Sequence, residues 1–307
     1  MKVLVADKIA SDGIKKLKDA GFEVLSSWDE PKDKLPQLIK DCDALIVRSA
    51  TKATKDLIDA GASLKVIGRA GVGLDNVDVA HAKSKHIKVV NTPGATSISV
   101  AELAIALMFA VSRKVAYGDR GTRKGDWPKK NCEGIEVYGK TVGIIGIGRI
   151  GRETAKRVKA LGAKAYYYDV VKPSPNDEKE IGVEFKNLDE LIAVADIISI
   201  HVPMTPETKG LLNKDRIAKM KKGAMIVNTS RGGIVDEAAL YEALKSGKLY
   251  GAALDVFETE PLKASQLFEL DNVVLTPHVG AQTAEGQLRA GVEIAELVIK
   301  ELNALKK

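Results

Sequence analysis

Three short segments place reactive side chain types at the ends of apolar runs. Thr276-Pro-His-Val-Gly-Ala281 presents His278 after the run Val273–Thr276, and Asn228-Thr-Ser-Arg-Gly-Gly233 presents Arg231 after Met225–Asn228. Asp255-Val-Phe-Glu-Thr-Glu-Pro261 follows Gly251–Leu254 and carries Glu258 and Glu260. An imidazole titrates near neutrality and can exchange a proton with a hydroxyl. A guanidinium offers a planar fork of donors that matches a carboxylate, and a carboxylate beside an imidazole fixes the ring's orientation. Together these groups suit hydride removal from a small 2-hydroxy acid. That chemistry needs the carboxylate held, the hydroxyl proton taken and a hydride acceptor set beside the carbon. Each residue alone has a plain alternative: a surface ion pair for Arg231, a turn at Glu260-Pro261, a loop donor for His278. Glu258 is as well placed in sequence as Glu260. Their occurrence at successive strand ends is what singles the group out.

A hydride acceptor has its own signature. Lys140-Thr-Val-Gly-Ile-Ile-Gly146-Ile-Gly148-Arg149-Ile150-Gly151 contains G-x-G-x-x-G after an apolar strand and at the start of a helix with Ala155, Val158 and Leu161 on one face. In this context Gly146 allows a tight turn, Gly148 lets the backbone approach a pyrophosphate, and Gly151 lets helix and strand pack closely. The helix N-terminus offers free amides and partial positive charge to the phosphates. The next strand, ending at Tyr168, is followed by Asp169, 18 residues beyond Gly151. An acid there hydrogen-bonds a ribose 2′-hydroxyl and repels a 2′-phosphate, which favours NAD over NADP. Lys172 lies nearby and works against that preference.

The elements that must position these groups alternate along the chain. Candidate strands at Val3–Ala6, Glu23–Leu25, Ala44–Val47, Val66–Arg69 and Lys88–Val90 are separated by helical patterns such as Ser11–Ala20 and Ala53–Ala60. A single long helix is expected over Ser99–Tyr117, followed by a polar connecting loop, Gly118–Gly139. A second series follows, with strands at Thr141–Ile145, Ala165–Tyr168, Ile197–His201, Met225–Asn228, Gly251–Leu254 and Val273–Thr276. The last helix, Ala284–Leu302, has no strand after it and is expected to pack back on the first half. The pattern predicts an α/β chain of two Rossmann-like, doubly wound parallel-sheet domains. One is expected to be discontinuous (residues 1–98 and 284–307), and the other carries the glycine fingerprint expected to bind NAD (residues 99–283).

Bulk properties narrow the class. A length of 307 residues suits about two domains. No apolar run approaches the roughly 18 residues of a membrane helix, and Met1 leads straight into a strand-like run without a secretory pattern. The expectation is a cytoplasmic protein without a membrane partner. Cys42 and Cys132 stand far apart and the four histidines are scattered, so no metal is expected. The net charge of +6 is spread over intermixed Lys and Glu with no basic block, which excludes nucleic acid as the expected partner.

Several segments resemble the D-isomer-specific 2-hydroxyacid dehydrogenases, and the resemblance runs over essentially the whole chain. They are Gly68-Arg-Ala-Gly-Val-Gly-Leu-Asp-Asn-Val-Asp78, Gly146–Gly151, Asn228–Asp236, Leu254–Pro261 and Thr276–Ala281. The resemblance implies His278 as the acid/base assisted by Glu260, with Arg231 binding the substrate carboxylate. It places cofactor contacts at Val72, Arg149, Ile150, Asp169, Val202, Thr229, Ser230, Asp255 and Gly280, beside the fingerprint glycines. It also implies that the discontinuous domain is flavodoxin-like and binds the substrate, and that a homodimer or tetramer forms mainly through the nucleotide domain. Within the family, Val47-Arg-Ser-Ala-Thr-Lys52, Asn91-Thr-Pro-Gly94 and Ser97-Ile-Ser-Val-Ala-Glu102 point to a phosphorylated small-molecule acid, with Arg48, Ser49, Gly71 and Asn91 as substrate contacts. Rival readings are a reductase of short unphosphorylated 2-oxo acids and an NAD-sensing corepressor-like binding protein. Some relatives carry an appended amino-acid-sensing domain. Lys307 follows the last helix directly, so regulation of that kind is not expected.

Overall fold

The computed structural model describes residues 1–305. The chain divides into two compact units, Met1–Ser97 with the chain from Ala281 onward, and Ile98–Gly280.

The first unit contains β1 (Lys2–Val5), β2 (Glu23–Ser26), β3 (Ala44–Val47), β4 (Val66–Arg69) and β5 (Lys88–Asn91). All pair in parallel, in the order β2-β1-β3-β4-β5. Every residue of the central β3 is buried, whereas the edge strand β2 is partly exposed. This is what a parallel sheet covered on both faces demands. One face packs Val3, Val5, Ile46 and Val66 against Leu17 of the helix Ser11–Asp19 and Ile294, Val298 and Leu302 of the helix Ala284–Ala304. The last helix therefore completes the core of the first unit, through an apolar stripe that recurs at helical spacing. The strand order reverses between β1 and β3, where the carboxyl ends of a doubly wound sheet open a crevice.

The second unit contains β6 (Thr141–Ile145), β7 (Lys164–Tyr168), β8 (Glu184–Phe185), β9 (Ile197–Ile200), β10 (Ala224–Asn228), β11 (Leu249–Leu254) and β12 (Val273–Leu275). They too are parallel, ordered β12-β11-β10-β9-β6-β7-β8, with the reversal between β6 and β9. Two cores lie on its faces, one around Ile198, Ile226 and Leu240, the other around Met108, Ile144 and Val158.

Three expected elements are corrected. The stretch expected as a single helix, Ser99–Tyr117, is two helices, Ser97–Ser112 and Val115–Lys124. They are separated at Lys114, whose backbone is left-handed with φ 52°. That conformation breaks the i to i−4 ladder. It is held by tertiary contacts: Lys114 Nζ donates to the Asn131 carbonyl at 2.9 Å and lies 5.9 Å from the Tyr250 ring centroid. The segment expected as a polar loop is accordingly helical up to Lys124, where Gly125 at φ 83° ends the helix. The helix expected from Ala53 begins at Lys55, because the Thr54 side chain caps it by accepting from the Leu57 amide. The two-residue strand β8 has no counterpart in the sequence reading, being too short to show alternation. Among the described residues, no helix is long and apolar enough to cross a membrane. No cluster of three or more His, Cys, Asp or Glu there could hold a metal ion.

Candidate active site

At the reversal point of the second sheet, β6 runs into the glycine turn and then the helix Arg149–Ala160. Gly146 has φ +95°, and a Cβ there would lie 2.7 Å from the His201 carbonyl oxygen and 2.8 Å from Val202 Cγ1. A Cβ at Gly151 would lie 2.0 Å from the Gly146 carbonyl oxygen, so the helix rests directly on the turn. Gly148, by contrast, faces open space: no heavy atom comes within 4 Å of where its Cβ would be. It is also the residue that precedes the helix, so the amides of Arg149 and Ile150 border this gap. Asp169, at the end of β7, is pinned to the turn. Its Oδ2 accepts from the Ile147 amide at 2.8 Å and its Oδ1 from the Val171 amide at 3.0 Å. Thr229 Oγ1, after β10, is buried with no hydrogen-bond partner among the described residues. An open glycine backbone, free helix amides and an unpartnered buried hydroxyl fit the phosphates and polar edges of a dinucleotide.

The proton-transferring candidates leave the adjacent strands β10, β11 and β12. His278 and Glu260 come together: Nδ1 lies 2.7 Å from Glu260 Oε2. The other oxygen of Glu260 accepts from the Phe257 amide at 3.0 Å, which fixes the carboxylate. Of the two glutamates, Glu260 is the one that faces the imidazole. The Glu258 amide donates to Glu237 Oε1 at 2.6 Å and its Oε1 accepts from the Glu237 amide at 3.3 Å, so Glu258 is tied to a helix start. With Nδ1 engaged, the imidazole presents Nε2. The pair borders a cavity of about 470 Å³ whose apolar lining includes Phe257, Leu262, Phe268 and Leu275.

Backbone geometry shapes this region. His278 sits at φ 53°, a left-handed conformation that is uncommon outside glycine. Asp255 holds the surrounding turn. Its Oδ1 accepts from Thr276 Oγ1 at 2.6 Å and the Val279 amide at 2.8 Å, and its Oδ2 accepts from the Gly280 amide at 2.8 Å. Three of its roughly four acceptor positions are thus taken within the protein. Arg231 follows β10 in a turn fixed by Asn228, whose Oδ1 accepts from the Ser230 amide at 3.0 Å and Ser230 Oγ at 2.8 Å. The Asn228 amide group donates to the Arg231 carbonyl at 2.9 Å. A Cβ at Gly232 would fall 1.8 Å from the Phe257 carbonyl oxygen, so only glycine lets the Arg231 turn press onto the segment that leads to Glu260.

The remaining candidates lie in the first unit, at the carboxyl ends of β3, β4 and β5. The Arg48–Thr51 loop stands on a buried carboxylate that the sequence reading missed. Asp7 Oδ2 accepts from the amides of Arg48 at 2.7 Å and Thr51 at 3.0 Å, and its Oδ1 accepts from Thr51 Oγ1 at 2.6 Å and Lys32 Nζ at 3.0 Å. Burial pushes the Asp7 carboxyl up, but bonds from Thr51, Arg48 and Lys32 outweigh it and hold the group below the usual aspartate value. Asn76 completes the support, donating to the carbonyls of Arg48 and Thr51, both at 2.6 Å. Arg48 Nη1 donates to the Lys8 carbonyl at 3.0 Å, and Ser49 is exposed. Gly71 and Asn91 are brought together: the Gly71 carbonyl accepts from the Thr92 amide at 3.1 Å and the Val72 carbonyl from Asn91 Nδ2 at 2.6 Å. Asp7 could have been found in sequence as an acid just past the first strand of a doubly wound sheet. Lys32 and Asn76 carry no such signal.

A glycine turn at the reversal point, with an imidazole–carboxylate pair on the same sheet, is the arrangement of a dinucleotide-dependent dehydrogenase. The family description "D-isomer specific 2-hydroxyacid dehydrogenase, NAD binding domain" matches residues 105–280. A hydroxypyruvate reductase of Thermotoga maritima is 52% identical over 92% of this chain and 91% of its own length. A D-3-phosphoglycerate dehydrogenase of Methanocaldococcus jannaschii is 50% identical over 98% of this chain but only 57% of its own length. This chain therefore spans little more than half of that longer relative. A crystal structure of a Thermus thermophilus protein superposes with a TM-score of 0.90 at 36% identity, covering 99% of this chain and 97% of that one. The chain belongs to the D-isomer-specific 2-hydroxyacid dehydrogenase family and carries its NAD-binding domain.

Proposed function

We propose that the protein oxidises D-3-phosphoglycerate to 3-phosphohydroxypyruvate, the entry step of serine synthesis. In this reading His278 Nε2 accepts the C2 hydroxyl proton, and Glu260 holds the imidazole through Nδ1. Arg231 binds the substrate carboxylate and polarises the C2 oxygen. Arg48 and Ser49 receive the distal phosphate, with the loop that bears them fixed by Asp7. Gly146, Gly148, Gly151, Arg149 and Ile150 cradle the pyrophosphate, Asp169 the ribose, and Thr229 and Ser230 the nearby polar edge. NAD, when bound, supplies the hydride acceptor. The observation that carries the reaction type is the 2.7 Å contact between His278 and Glu260 beside an anchored Arg231 turn. The phosphorylated substrate rests on Arg48, a cation at the reversal point of the first sheet with its backbone bonded to a buried carboxylate.

A second reading, reduction of hydroxypyruvate or glyoxylate, draws support from the 52% identity to the Thermotoga maritima hydroxypyruvate reductase. Initial rates separate the two. With NAD and D-3-phosphoglycerate set against hydroxypyruvate and glyoxylate with NADH, the first reading predicts preference for the phosphorylated pair. Preference for the short acids would leave the dehydrogenase and remove the phosphate role of Arg48. Self-association into a dimer or tetramer is also proposed, supported by Val115, Trp127 and Tyr138, which are exposed around the connecting segment. Sedimentation as a monomer would contradict it.

A further inference from the structure

We propose that Phe185 helps set the cofactor preference by holding the Lys172 ammonium away from the ribose end of the dinucleotide site. The inference rests on reading Asp169 as the ribose ligand. The loop Asp169-Val-Val-Lys-Pro-Ser174 carries one cation, three residues after the acid. An ammonium free to reach that neighbourhood would offset the carboxylate and offer a partner to a 2′-phosphate, weakening discrimination against NADP.

The structure gives Lys172 another partner. Its Nζ lies 3.4 Å from the centroid of the Phe185 ring, within the range in which the negative face of an aromatic ring attracts a cation. The ring is itself fixed. Phe185 belongs to the two-residue strand β8, in register with Tyr167 of β7. The Tyr167 ring meets it edge-on at 5.6 Å, and the Tyr168 ring lies at 6.4 Å. Asp169 meanwhile takes its bonds from the neutral amides of Ile147 and Val171, which orient the carboxylate without cancelling its charge. A carboxylate so placed accepts from a ribose hydroxyl and repels a phosphate dianion. β8 therefore has a use beyond closing the sheet edge, because it places a ring where the one loop cation is drawn off.

The test is binding, measured by calorimetric titration of the full chain with NAD and with NADP at low ionic strength, where a single charge is least screened. Phe185→Leu releases the ammonium and is expected to tighten NADP relative to NAD by roughly two- to fivefold, the range of an exposed cation–ring contact. Adding Lys172→Ala to that variant returns the ratio to the wild-type value. Lys172→Ala alone leaves the ratio unchanged. A ratio unmoved by Phe185→Leu overturns the proposal. So does a ratio that falls in Lys172→Ala alone, since the ammonium would then already serve the phosphate. If Phe185→Leu folds poorly, Phe185→Met removes the ring with a longer apolar side chain and carries the same expectation, with Phe185→Met/Lys172→Ala as its control. Asp169→Ala separates the inference from its premise. If it leaves the ratio where it was, the ribose reading fails and the inference with it. If it favours NADP while Phe185→Leu does nothing, only the inference fails.

Discussion

Asp255 and Asp7 do the same work in two different sheets. Each is buried beneath a loop at a strand's carboxyl end, and each gathers two backbone amides and a threonine hydroxyl. The Asp255 loop carries His278, the Asp7 loop Arg48. They differ in charge balance. Asp7 also accepts from the Lys32 ammonium, whereas the bonds to Asp255 come from neutral donors. The loop over Asp7 is thus held partly by an ion pair, and the loop over Asp255 by hydrogen bonds from neutral donors. A left-handed residue such as His278 costs of order 1 kcal/mol, and persists only where its surroundings over-determine it. Three bonds converging on one carboxylate supply that constraint. The comparison teaches that a strand-end aspartate can fix the backbone of the loop that carries a candidate site residue.

The comparison breaks most visibly if the reactive loop is no more sensitive than the other. Glu260→Gln removes the carboxylate that orients His278 and is expected to lower kcat by roughly 10²-fold or more, within the span of acid–base contributions. Steady-state rates that stay within a few-fold of wild type would deny the pair its role. Asp7→Asn acts on the other loop. It is expected to raise KM for the phosphorylated acid by roughly tenfold, the scale of a charge-assisted bond, while kcat for hydroxypyruvate with NADH changes little. Equal losses on both acids would reduce Asp7 to a fold-stabilising role. Because the folded-state value of Asp7 is lowered, its anchoring is full above the ordinary aspartate range and is lost as pH falls through the lowered value.

Much of this could be read in the sequence where the signal is local. The glycine fingerprint, Asp169 and the strand-end positions of Arg231 and His278 depend on spacings within one βα unit. What could not be read depends on distant residues. Asp7 meets Arg48 and Thr51 across 41 and 44 positions, and Lys32 and Asn76 reach Thr51 from either side. Lys114 breaks a helix because of Asn131 and Tyr250. Glu258 and Glu260 are equivalent by spacing and are told apart only by which one faces an imidazole. The motif names Asp255, but the three bonds its carboxylate accepts within the protein are visible only in the fold.

Smaller effects sharpen the comparison. Asp255→Asn leaves donors facing an amide group, a loss of about 1–3 kcal/mol, and is expected to lower Tm by roughly 2–10 °C. An unchanged melting curve by calorimetry would contradict the anchoring role. His201 gives the most pH-specific effect. The residue as a whole is half-buried, but its Nδ1 is enclosed without a partner among the described residues, and Nε2 lies 2.9 Å from Ser199 Oγ. Burial pushes the imidazole down to about 3 from its ordinary 6.5. The folded chain therefore binds fewer protons than the unfolded one between these values. Stability from this group is full above pH 6.5 and declines as pH falls toward 3. Denaturant titrations of His201→Asn are expected to show a shallower decline over that range, and an identical slope would count against it.

The central claim is that His278 moves the hydroxyl proton in a site whose nucleotide end is built separately by the glycine turn. Single-turnover NADH formation by His278→Gln, measured beside a calorimetric titration with NAD, tests it most directly. The account predicts a rate reduced by roughly 10²–10⁴-fold with NAD affinity close to wild type. A variant that turns over at nearly the wild-type rate, or one that loses NAD binding along with turnover, would contradict it.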